Sequence, residues 1–251
     1  MSDISLFMIT YNEEKNIAGC IRDVKSLVDE IIVVDSFSSD KTAEIAESLG
    51  AKVFKRKFDG FTNQKNYALS LVTKEWALNL DADELITDDL KKDVLVKSEQ
   101  NEYDGFWFRS RSYFLGRKMN FSGLQSVKKM CLVRAKKARF EGGLVHERLI
   151  VDGPTAVLGG HIKHYSYSSL RNYFEKFNKY TSLGARSKYE AGKRADVFLC
   201  CLRLPFDFFR RYILQLGILD GVPGLVWCAF SAFYPFVKYM KLWELEHFPE
   251  D

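Results

Sequence analysis

The chain has 251 residues, of which 47% are hydrophobic and 28% charged, and its formal net charge is +4. This hydrophobic content excludes a disordered chain, and the length suffices for one large domain with or without an extension. The five cysteines form no CxxC pair, which argues against a cysteine zinc site and a disulfide framework and favours a reducing cytoplasm. Because no basic, apolar leader precedes the first strand pattern, we expect no signal peptide.

Three segments of different charge make up the net value. Residues 1–104 carry 13 basic and 21 acidic side chains, residues 105–165 carry 12 and 3, and residues 166–251 carry 12 and 9. Between Gly105 and Phe140 there are ten basic residues and no acidic one. Such a block favours an anionic partner, although a solvated face beside the acidic first segment gives the same pattern.

The first hundred residues alternate strand and helix patterns. Short apolar runs predict strands over Ile4–Ile9, Ile31–Val34, Ala51–Phe54 and Trp76–Leu80. A helix pattern follows each of these strands. The first comes after Asn12, which is its expected N-cap, and the second covers Lys41–Leu49. The third covers about Asn63–Leu71, and the fourth begins after Thr87. Strands that alternate with helices through short loops predict an α/β fold with a mostly parallel sheet and helices on both faces.

The second half of the chain changes character. Aromatic strand patterns occupy Gly105–Phe114 and Val127–Val133, and the pattern becomes helical from Ser168 onward. Residues 221–237 contain no charge but are interrupted by two prolines, and arginine-rich apolar sequence precedes them. This pattern favours a helix in the membrane interface, with a buried or dimer-contact helix and a spanning helix as alternatives.

Polar side chains stand where three of the predicted strands end, which is where ligands bind in parallel sheets. Asp81 and Asp83 follow the fourth strand, and two carboxylates at this spacing suit Mg²⁺ or Mn²⁺ shared with substrate phosphates. Asp35 is either a ligand of a base or ribose or a helix cap. Lys65 either faces a pyrophosphate or is solvated. No glycine-rich phosphate loop occurs, which disfavours nicotinamide dehydrogenases and P-loop ATPases.

Four ordered motifs resemble the markers of family 2 of the inverting glycosyltransferases, and they cover about residues 4–90. The matching residues are Thr10-Tyr11-Asn12-Glu13-Glu14, Val34-Asp35-Ser36-Phe37-Ser38-Ser39-Asp40-Lys41-Thr42, Gln64-Lys65-Asn66-Tyr67-Ala68-Leu69 and Leu80-Asp81-Ala82-Asp83-Glu84. The later Val145-His146-Glu147 and His164-Tyr165-Ser166 resemble the branch that adds β-1,4-linked glucose to the lipopolysaccharide or lipooligosaccharide core.

This resemblance implies an A-type glycosyltransferase fold, which is Rossmann-like, with a C-terminal helical extension. Residues 1–166 would form the nucleotide-sugar-binding catalytic domain, with an acceptor part over 105–166, and residues 167–251 the extension. The nucleotide-sugar ligands that the resemblance implies are Tyr11, Glu13 and Asp35 for uracil and ribose, Lys65 near the nucleotide, and Asp81 at the ribose or metal-bound water.

The same resemblance implies a divalent cation, Mg²⁺ or Mn²⁺, held by Asp83. His164 would complete the metal shell, or it is packed among aromatic side chains. The family base is usually an Asp after an acidic residue, whereas this chain has His146-Glu147 there. Either residue takes the proton, and we favour Glu147 because a carboxylate within reach of the acceptor hydroxyl serves as a general base.

The resulting hypothesis is a metal-dependent inverting transfer of a hexose, with glucose favoured, from a UDP-sugar to the lipopolysaccharide inner core. The basic block, including Arg109, Lys128 and Lys129, would hold the anionic lipid-linked acceptor at the cytoplasmic face of the bacterial inner membrane. Alternatives are a polyprenyl-phosphate or capsular-polysaccharide acceptor, a nucleotidyltransferase, and a nucleic-acid-binding module, the last disfavoured by the acidic first segment. A homodimer is compatible with the sequence.

Overall fold

A computed structural model of the chain describes residues 3–124, 127–142, 147–167 and 169–248. The strands within these residues are β1 (Ile4–Thr10), β2 (Glu30–Asp35), β3 (Lys52–Lys55), β4 (Trp76–Asn79), β5 (Glu84–Ile86), β6 (Gly105–Phe114), β7 (Arg117–Lys118), β8 (Val127–Arg134), β9 (Ala138–Glu141), β10 (Arg148–Val151), β11 (Thr155–Val157) and β12 (Ile162–Tyr167). The helices are α1 (Ile17–Val24), α2 (Thr42–Ser48), α3 (Phe61–Ser70), α4 (Asp88–Ser98), α5 (Leu170–Glu190), α6 (Val197–Phe209) and α7 (Gly221–His247).

The main sheet is mixed and has the strand order β3-β2-β1-β4-β8-β6-β12-β5. Its first four strands pair in parallel, whereas β8 pairs antiparallel with both β4 and β6. Strands β7 and β11 pair with β6, and β9 and β10 form a separate antiparallel pair. The predicted α/β fold with a C-terminal helical extension is confirmed, and the antiparallel strands all come after residue 84.

Alternation along the central strands distributes the core over both faces of the sheet. In β1, Leu6 and Met8 pack into one cluster with α1, α2 and α4, whereas Phe7 packs into another with α3, β9 and β10. Because successive side chains of a strand point to opposite faces, a strand buried on both sides reads as a continuous apolar run. This packing fixes the loops at the carboxyl ends of β1, β2 and β4 on rigid elements.

The chain forms two compact units. Unit 1 comprises residues 1–110 and 126–164, and unit 2 comprises residues 111–125 and 165–251. In unit 2, α5 and α7 share an aromatic cluster in which Tyr173 and Phe177 are buried beside Trp227 and Phe230. The functional division at residue 166 that the sequence predicts stays a prediction.

Two local predictions are wrong. Asn12 does not cap a helix, because its backbone is left-handed (φ 56°) and its Oδ1 accepts a hydrogen bond from the Ser39 backbone N–H at 2.9 Å; helix α1 begins at Ile17. The prolines and glycine after residue 221 do not interrupt α7. Pro223 lies in the first turn, where a missing N–H costs nothing, and a side chain at Gly224 would place its Cβ 2.1 Å from the Gly217 carbonyl oxygen.

Candidate active site

The loop after β4 carries the central acidic side chains of the site. Strand β1 pairs in parallel with both β2 and β4, so the three carboxyl ends meet at one edge of the sheet. Asp81 and Glu84 are joined within this loop, because the Asp81 backbone N–H donates to Glu84 Oε2 at 2.9 Å and the Glu84 N–H donates to the Asp81 carbonyl at 3.0 Å. This turn fixes the Asp81 backbone at the sheet edge.

Two lysines from distant parts of unit 1 converge on Asp81. Lys129 Nζ, on β8, donates to Asp81 Oδ2 at 2.8 Å and to the buried Glu84 Oε2 at 2.7 Å. Lys65 Nζ, on α3, lies 3.6 Å from Asp81 Oδ1 and donates to Glu147 Oε1 at 2.7 Å. Three carboxylates and two ammonium groups therefore form one connected network.

The network favours the charged forms of Asp81, Lys65 and Lys129. Burial works to raise the pKa of Asp81, but Lys129 and Lys65 outweigh it and hold this pKa well below its usual range. Burial likewise works to lower the pKa of both lysines, and their carboxylate partners outweigh it and raise each pKa above its ordinary value. Buried charges are costly unless they are paired, so this arrangement holds fixed charges at a sheet edge where ligands bind.

Helix α3 positions Lys65 through the residues on either side of it. Asn66 Nδ2 donates to the Phe140 carbonyl at 2.9 Å and its Oδ1 accepts from the Phe140 N–H at 2.8 Å. On the other side, the buried Gln64 donates from Nε2 to Ser36 Oγ at 3.1 Å. Lys65 Nζ also lies 5.7 Å from the centroid of the Phe140 ring. The Gln-Lys-Asn run thus ties α3 to β9 and to the loop after β2.

Asp83 and His164 lie side by side, on the loop after β4 and on β12. His164 Nε2 is 3.4 Å from Asp83 Oδ1, and the Asp83 side chain is 6% exposed. Burial works to lower the pKa of His164, but the hydrogen bond and charge of Asp83 outweigh it and raise this pKa above its ordinary value. The sequence predicts both as metal ligands, and the fold brings them together.

Within the described ranges, no three His, Cys, Asp or Glu side chains are arranged as a complete metal cluster. Asp83 and His164 nevertheless fit a divalent cation of the kind that takes few protein ligands and completes its shell with water and substrate phosphates. Asp81 differs from them, because both of its carboxylate oxygens face lysine ammonium groups. Asp83 and His164 are therefore the residues that could hold such a cation, and the ammonium groups of Lys65 and Lys129 lie at Asp81 on the same loop as Asp83.

Of the three remaining predicted nucleotide ligands, Tyr11 and Glu13 lie on the loop after β1, and Asp35 is the last residue of β2. Tyr11 is half-exposed, and Glu13 Oε2 accepts from Asn16 Nδ2 at 2.7 Å at the start of α1. Asp35 is fully buried and accepts from Thr10 Oγ1 at 3.0 Å, the Ser38 N–H at 2.8 Å and Ser38 Oγ at 2.5 Å. In this structure Asp35 therefore shapes the loop between β2 and α2. Its role toward a nucleotide stays a prediction, and so do those of Tyr11 and Glu13.

Two members of the network have roles that the sequence does not predict. Lys129 is counted with the surface basic block from its neighbours in sequence, but its ammonium group faces Asp81 and Glu84 and is not part of that surface. Glu84 is the last residue of the Asp81-Ala82-Asp83-Glu84 motif. Only the fold shows that its carboxylate binds both the Asp81 backbone N–H and the Lys129 ammonium group. The candidate base His146 lies outside the described residues.

On the basic block, Arg109 and Lys128 face each other across β6 and β8. Both side chains are exposed, and Arg109 Nη1 donates to the Leu158 carbonyl at 3.3 Å. Their pairing on one face of the sheet makes a cationic patch on unit 1.

Comparisons with known proteins identify the family to which this chain is similar. The family model described as "Glycosyl transferase family 2" matches residues 5–174. An uncharacterized glycosyltransferase of Rickettsia typhi is 30% identical over 257 residues, which cover 98% of this chain and 88% of that protein. The lipopolysaccharide core biosynthesis glycosyltransferase LpsC of Rhizobium meliloti is 27% identical over 251 residues, covering 96% of this chain and 92% of LpsC.

Solved structures show more distant similarity. TarS (residues 1–349) of S. aureus matches with a TM-score of 0.45 and 17% identity, over 97% of this chain and 90% of that one. Glucosyl-3-phosphoglycerate synthase of Mycobacterium tuberculosis, in complex with Mn²⁺, UDP and phosphoglyceric acid, matches with a TM-score of 0.44 and 19% identity, over 64% of this chain and 70% of that one. Scores and identities this low carry no information about the ligands of this chain.

Proposed function

The chain belongs to glycosyltransferase family 2, and from this premise we propose that it transfers a hexose, glucose in the first instance, from a UDP-sugar to a saccharide acceptor with inversion at the anomeric carbon. The observation that supports this proposal is the charge network at the carboxyl end of β4. There Lys65 and Lys129 lie beside Asp81, with Asp83 on the same loop and His164 on β12, the strand that pairs with β5.

Departure of UDP requires neutralisation of the negative charge that develops on its phosphates. Asp83 and His164 are the residues that would hold a divalent cation, Mg²⁺ or Mn²⁺, which when bound supplies this neutralisation as a Lewis acid. Lys65 adds a fixed positive charge on the same side, because its partners keep it protonated. Asp81, held by Lys129, has oxygens suited to a ribose hydroxyl or a bound water.

Glu147 is the proposed general base. Its Oε1 accepts a hydrogen bond from Lys65 at 2.7 Å. A diphosphate bound near Lys65 competes for that ammonium group, which releases the Glu147 carboxylate to take the proton of the acceptor hydroxyl. The deprotonated oxygen then attacks the anomeric carbon from the face opposite UDP, so a single displacement inverts the configuration and no covalent intermediate forms.

Similarity to LpsC supports the lipopolysaccharide core as the acceptor class, and within it we propose the inner core. An acceptor of this kind carries anionic groups on a lipid at the cytoplasmic face of the inner membrane, and the exposed Arg109 and Lys128 offer positive charge to it. We therefore place the enzyme in the cytoplasm, peripheral to that membrane. A polyprenyl-phosphate or capsular acceptor would use the same donor chemistry.

The donor proposal is tested by thermal unfolding of the full chain with UDP, GDP, CDP and ADP, each with and without Mn²⁺. A ligand that binds only the folded state stabilises it by about 2.7 to 4 kcal/mol at 100 to 1,000 times its Kd. We expect UDP with Mn²⁺ to give the largest stabilisation, and Asp83→Asn to lose its Mn²⁺ dependence. Asp88→Asn, at a carboxylate whose side chain is 89% exposed on α4, is the matched control and should behave as wild type.

Stabilisation by another nucleotide in place of UDP would refute the proposed donor. Equal Mn²⁺-dependent stabilisation of wild type and Asp83→Asn would refute the assignment of Asp83.

A further inference from the structure

Helix α6 and the π-helical turn that follows it, Arg210–Leu214, expose a row of large apolar side chains. Phe198, Leu202 and Phe206 are 76%, 56% and 61% exposed, and Phe209 and Ile213 continue the row. The spacing of three or four residues places all five on one face of a helix. On the other side, Cys200 is buried and α6 packs against α7, so the row is the outward side of a packed helix.

The exposed apolar surface continues into the start of α7. Ile218, Leu219 and Val222 are 49%, 57% and 72% exposed. In all, twelve large apolar side chains between Phe198 and Leu225 are exposed, and we refer to this surface as the apolar face. Monomeric soluble proteins seldom expose a contiguous apolar area of this kind without a partner for it.

Within residues 197–243 the charges exposed to solvent are cationic, and the exposed carboxylates of Asp196 and Glu244 lie just outside this segment. Residues 197–243, all of which the structure describes, contain two acidic residues, Asp207 and Asp220, and both are buried. Arg203 and Arg210, in contrast, are 54% and 42% exposed. The surface that this segment presents to solvent is therefore apolar and cationic, with no exposed carboxylate.

This charge distribution distinguishes between the possible occupants. In a symmetric dimer the same patch meets itself, so Arg203 and Arg210 of two copies would be brought together, although in each copy these two arginines share the single buried carboxylate of Asp207. A membrane with anionic headgroups offers the complementary charge, and its acyl boundary accepts phenylalanine and leucine side chains. The observations thus favour a lipid surface over a second copy.

We propose that the apolar face lies in the headgroup region of an anionic bilayer, with α6 parallel to the membrane plane and the arginines at the lipid phosphates. This inference rests on the proposed function only for the presence of a membrane-bound acceptor, and it identifies the surface that brings the enzyme to it. The segment Gly217–His247 is also long and apolar enough to cross a membrane by length and composition. However, α7 packs its aromatic side chains against α5, which suits a helix that stays with unit 2.

The test is flotation of the full chain with vesicles of phosphatidylcholine alone and with added phosphatidylglycerol, in the absence of any nucleotide or saccharide. We expect binding to the anionic vesicles that weakens as salt is raised, because surface charge is screened over about 8 to 10 Å at 0.1 to 0.15 M salt. The triple variant Phe198→Ser/Leu202→Ser/Phe206→Ser should bind roughly 100-fold more weakly, since three apolar side chains no longer leave water.

The matched control is Leu95→Ser/Val96→Ser, which removes two exposed apolar side chains from α4 of unit 1 and should bind as wild type. Because all substituted side chains are substantially exposed, thermal unfolding should report the same stability for each variant. Equal vesicle binding by the triple variant and wild type would contradict the proposal, as would wild type that remains unbound with anionic vesicles.

Two further outcomes would also overturn it. Retention in the vesicles at alkaline pH in carbonate would mean a spanning helix, and concentration-dependent dimerisation without vesicle binding, lost in the triple variant, would mean a subunit contact. Since these vesicles hold no substrate, failure here leaves the donor proposal intact, and failure of UDP to bind leaves this inference intact.

Discussion

Two pairs of acidic side chains, one pair in each compact unit, have different surroundings. In unit 1, Asp81 and Glu147 stand at the ends of strands and in loops with lysine ammonium groups beside them, where they remain partly open to solvent. In unit 2, Asp207 and Asp220 are buried and satisfied by the chain itself. The difference teaches that an acidic residue is informative about function only together with its position. At the carboxyl ends of parallel strands, where ligands bind, it is a candidate site residue. Inside the helical unit, Asp207 pairs with Arg203 and Arg210, and Asp220 holds the loop of residues 120–122.

Replacement of the proposed base tests the functional side of this comparison with the largest effect. Glu147→Gln keeps the shape of the side chain but cannot accept the hydroxyl proton, so kcat should fall by about 100- to 1,000-fold. UDP binding, measured by titration calorimetry, should persist. Glu141→Gln, at a half-exposed carboxylate on β9, is the control and should retain wild-type turnover. Wild-type kcat in Glu147→Gln would remove Glu147 from the reaction.

An acid at the opposite end of the sheet should behave as a structural group. Burial works to raise the pKa of Glu30, but hydrogen bonds from Lys52, Ser5 and Thr73 outweigh it and lower this pKa from 4.5 to about 2. A depressed pKa in the folded state contributes stability above the unfolded value, and that stability is lost as pH falls through the folded value. Glu30→Gln should therefore cost about 3 kcal/mol near pH 7.

The difference in unfolding free energy between wild type and Glu30→Gln should shrink between pH 4.5 and about 2. Urea unfolding across this range measures it, and Glu47→Gln, at an exposed position of α2, should show no such dependence. A difference that stays constant with pH would mean that the charge of Glu30 does not stabilise the fold.

The buried acid of unit 2 should give a smaller effect on stability and none on chemistry. Asp220 accepts from the backbone N–H groups of Asn120 at 3.1 Å and Phe121 at 3.0 Å and from Ser122 Oγ at 3.3 Å. Asp220→Asn turns an amide N–H toward one of these donors, so it should cost about 2 kcal/mol in urea unfolding. Turnover per folded molecule should stay unchanged, and a fall in kcat without a loss of stability would contradict a structural role.

The control for Asp220 lies in the same unit. Asp196 caps α6 by accepting from the Leu199 N–H at 2.8 Å, and asparagine caps a helix about as well as aspartate. Asp196→Asn should therefore change the stability by no more than about 0.5 kcal/mol.

Most strand positions of unit 1 can be predicted from the sequence, because these strands are apolar runs between short loops. Strand β6 occupies the predicted residues, and β1, β2 and β4 differ from prediction by a residue or so at their ends. The motif positions also predict that Asp83 and His164 meet, because the family resemblance orders them around one site.

Other features depend on pairing between distant segments and leave no local signal. In the sequence, Lys129 cannot be distinguished from the other nine basic residues between Gly105 and Phe140. Its contact with Asp81 depends on the antiparallel pairing of β8 with β4, which brings distant segments together. The start of α1 depends on Asn12 bonding the loop 27 residues away, so a local capping rule places it too early. Helix α7 continues through Pro235, and Gly224 lies where a Cβ would meet the Gly217 carbonyl oxygen, a close approach that the local sequence does not reveal.

The most direct test of the central claim is the configuration of the product formed from UDP-glucose and an inner-core saccharide, followed by NMR of the new anomeric proton in the presence of Mn²⁺. The α-linked donor should give a β-linked product with one UDP released per bond formed, and Glu147→Gln should form it at least about 100-fold more slowly. An α-linked product, or transfer that is undiminished in Glu147→Gln, would contradict a single displacement assisted by this carboxylate.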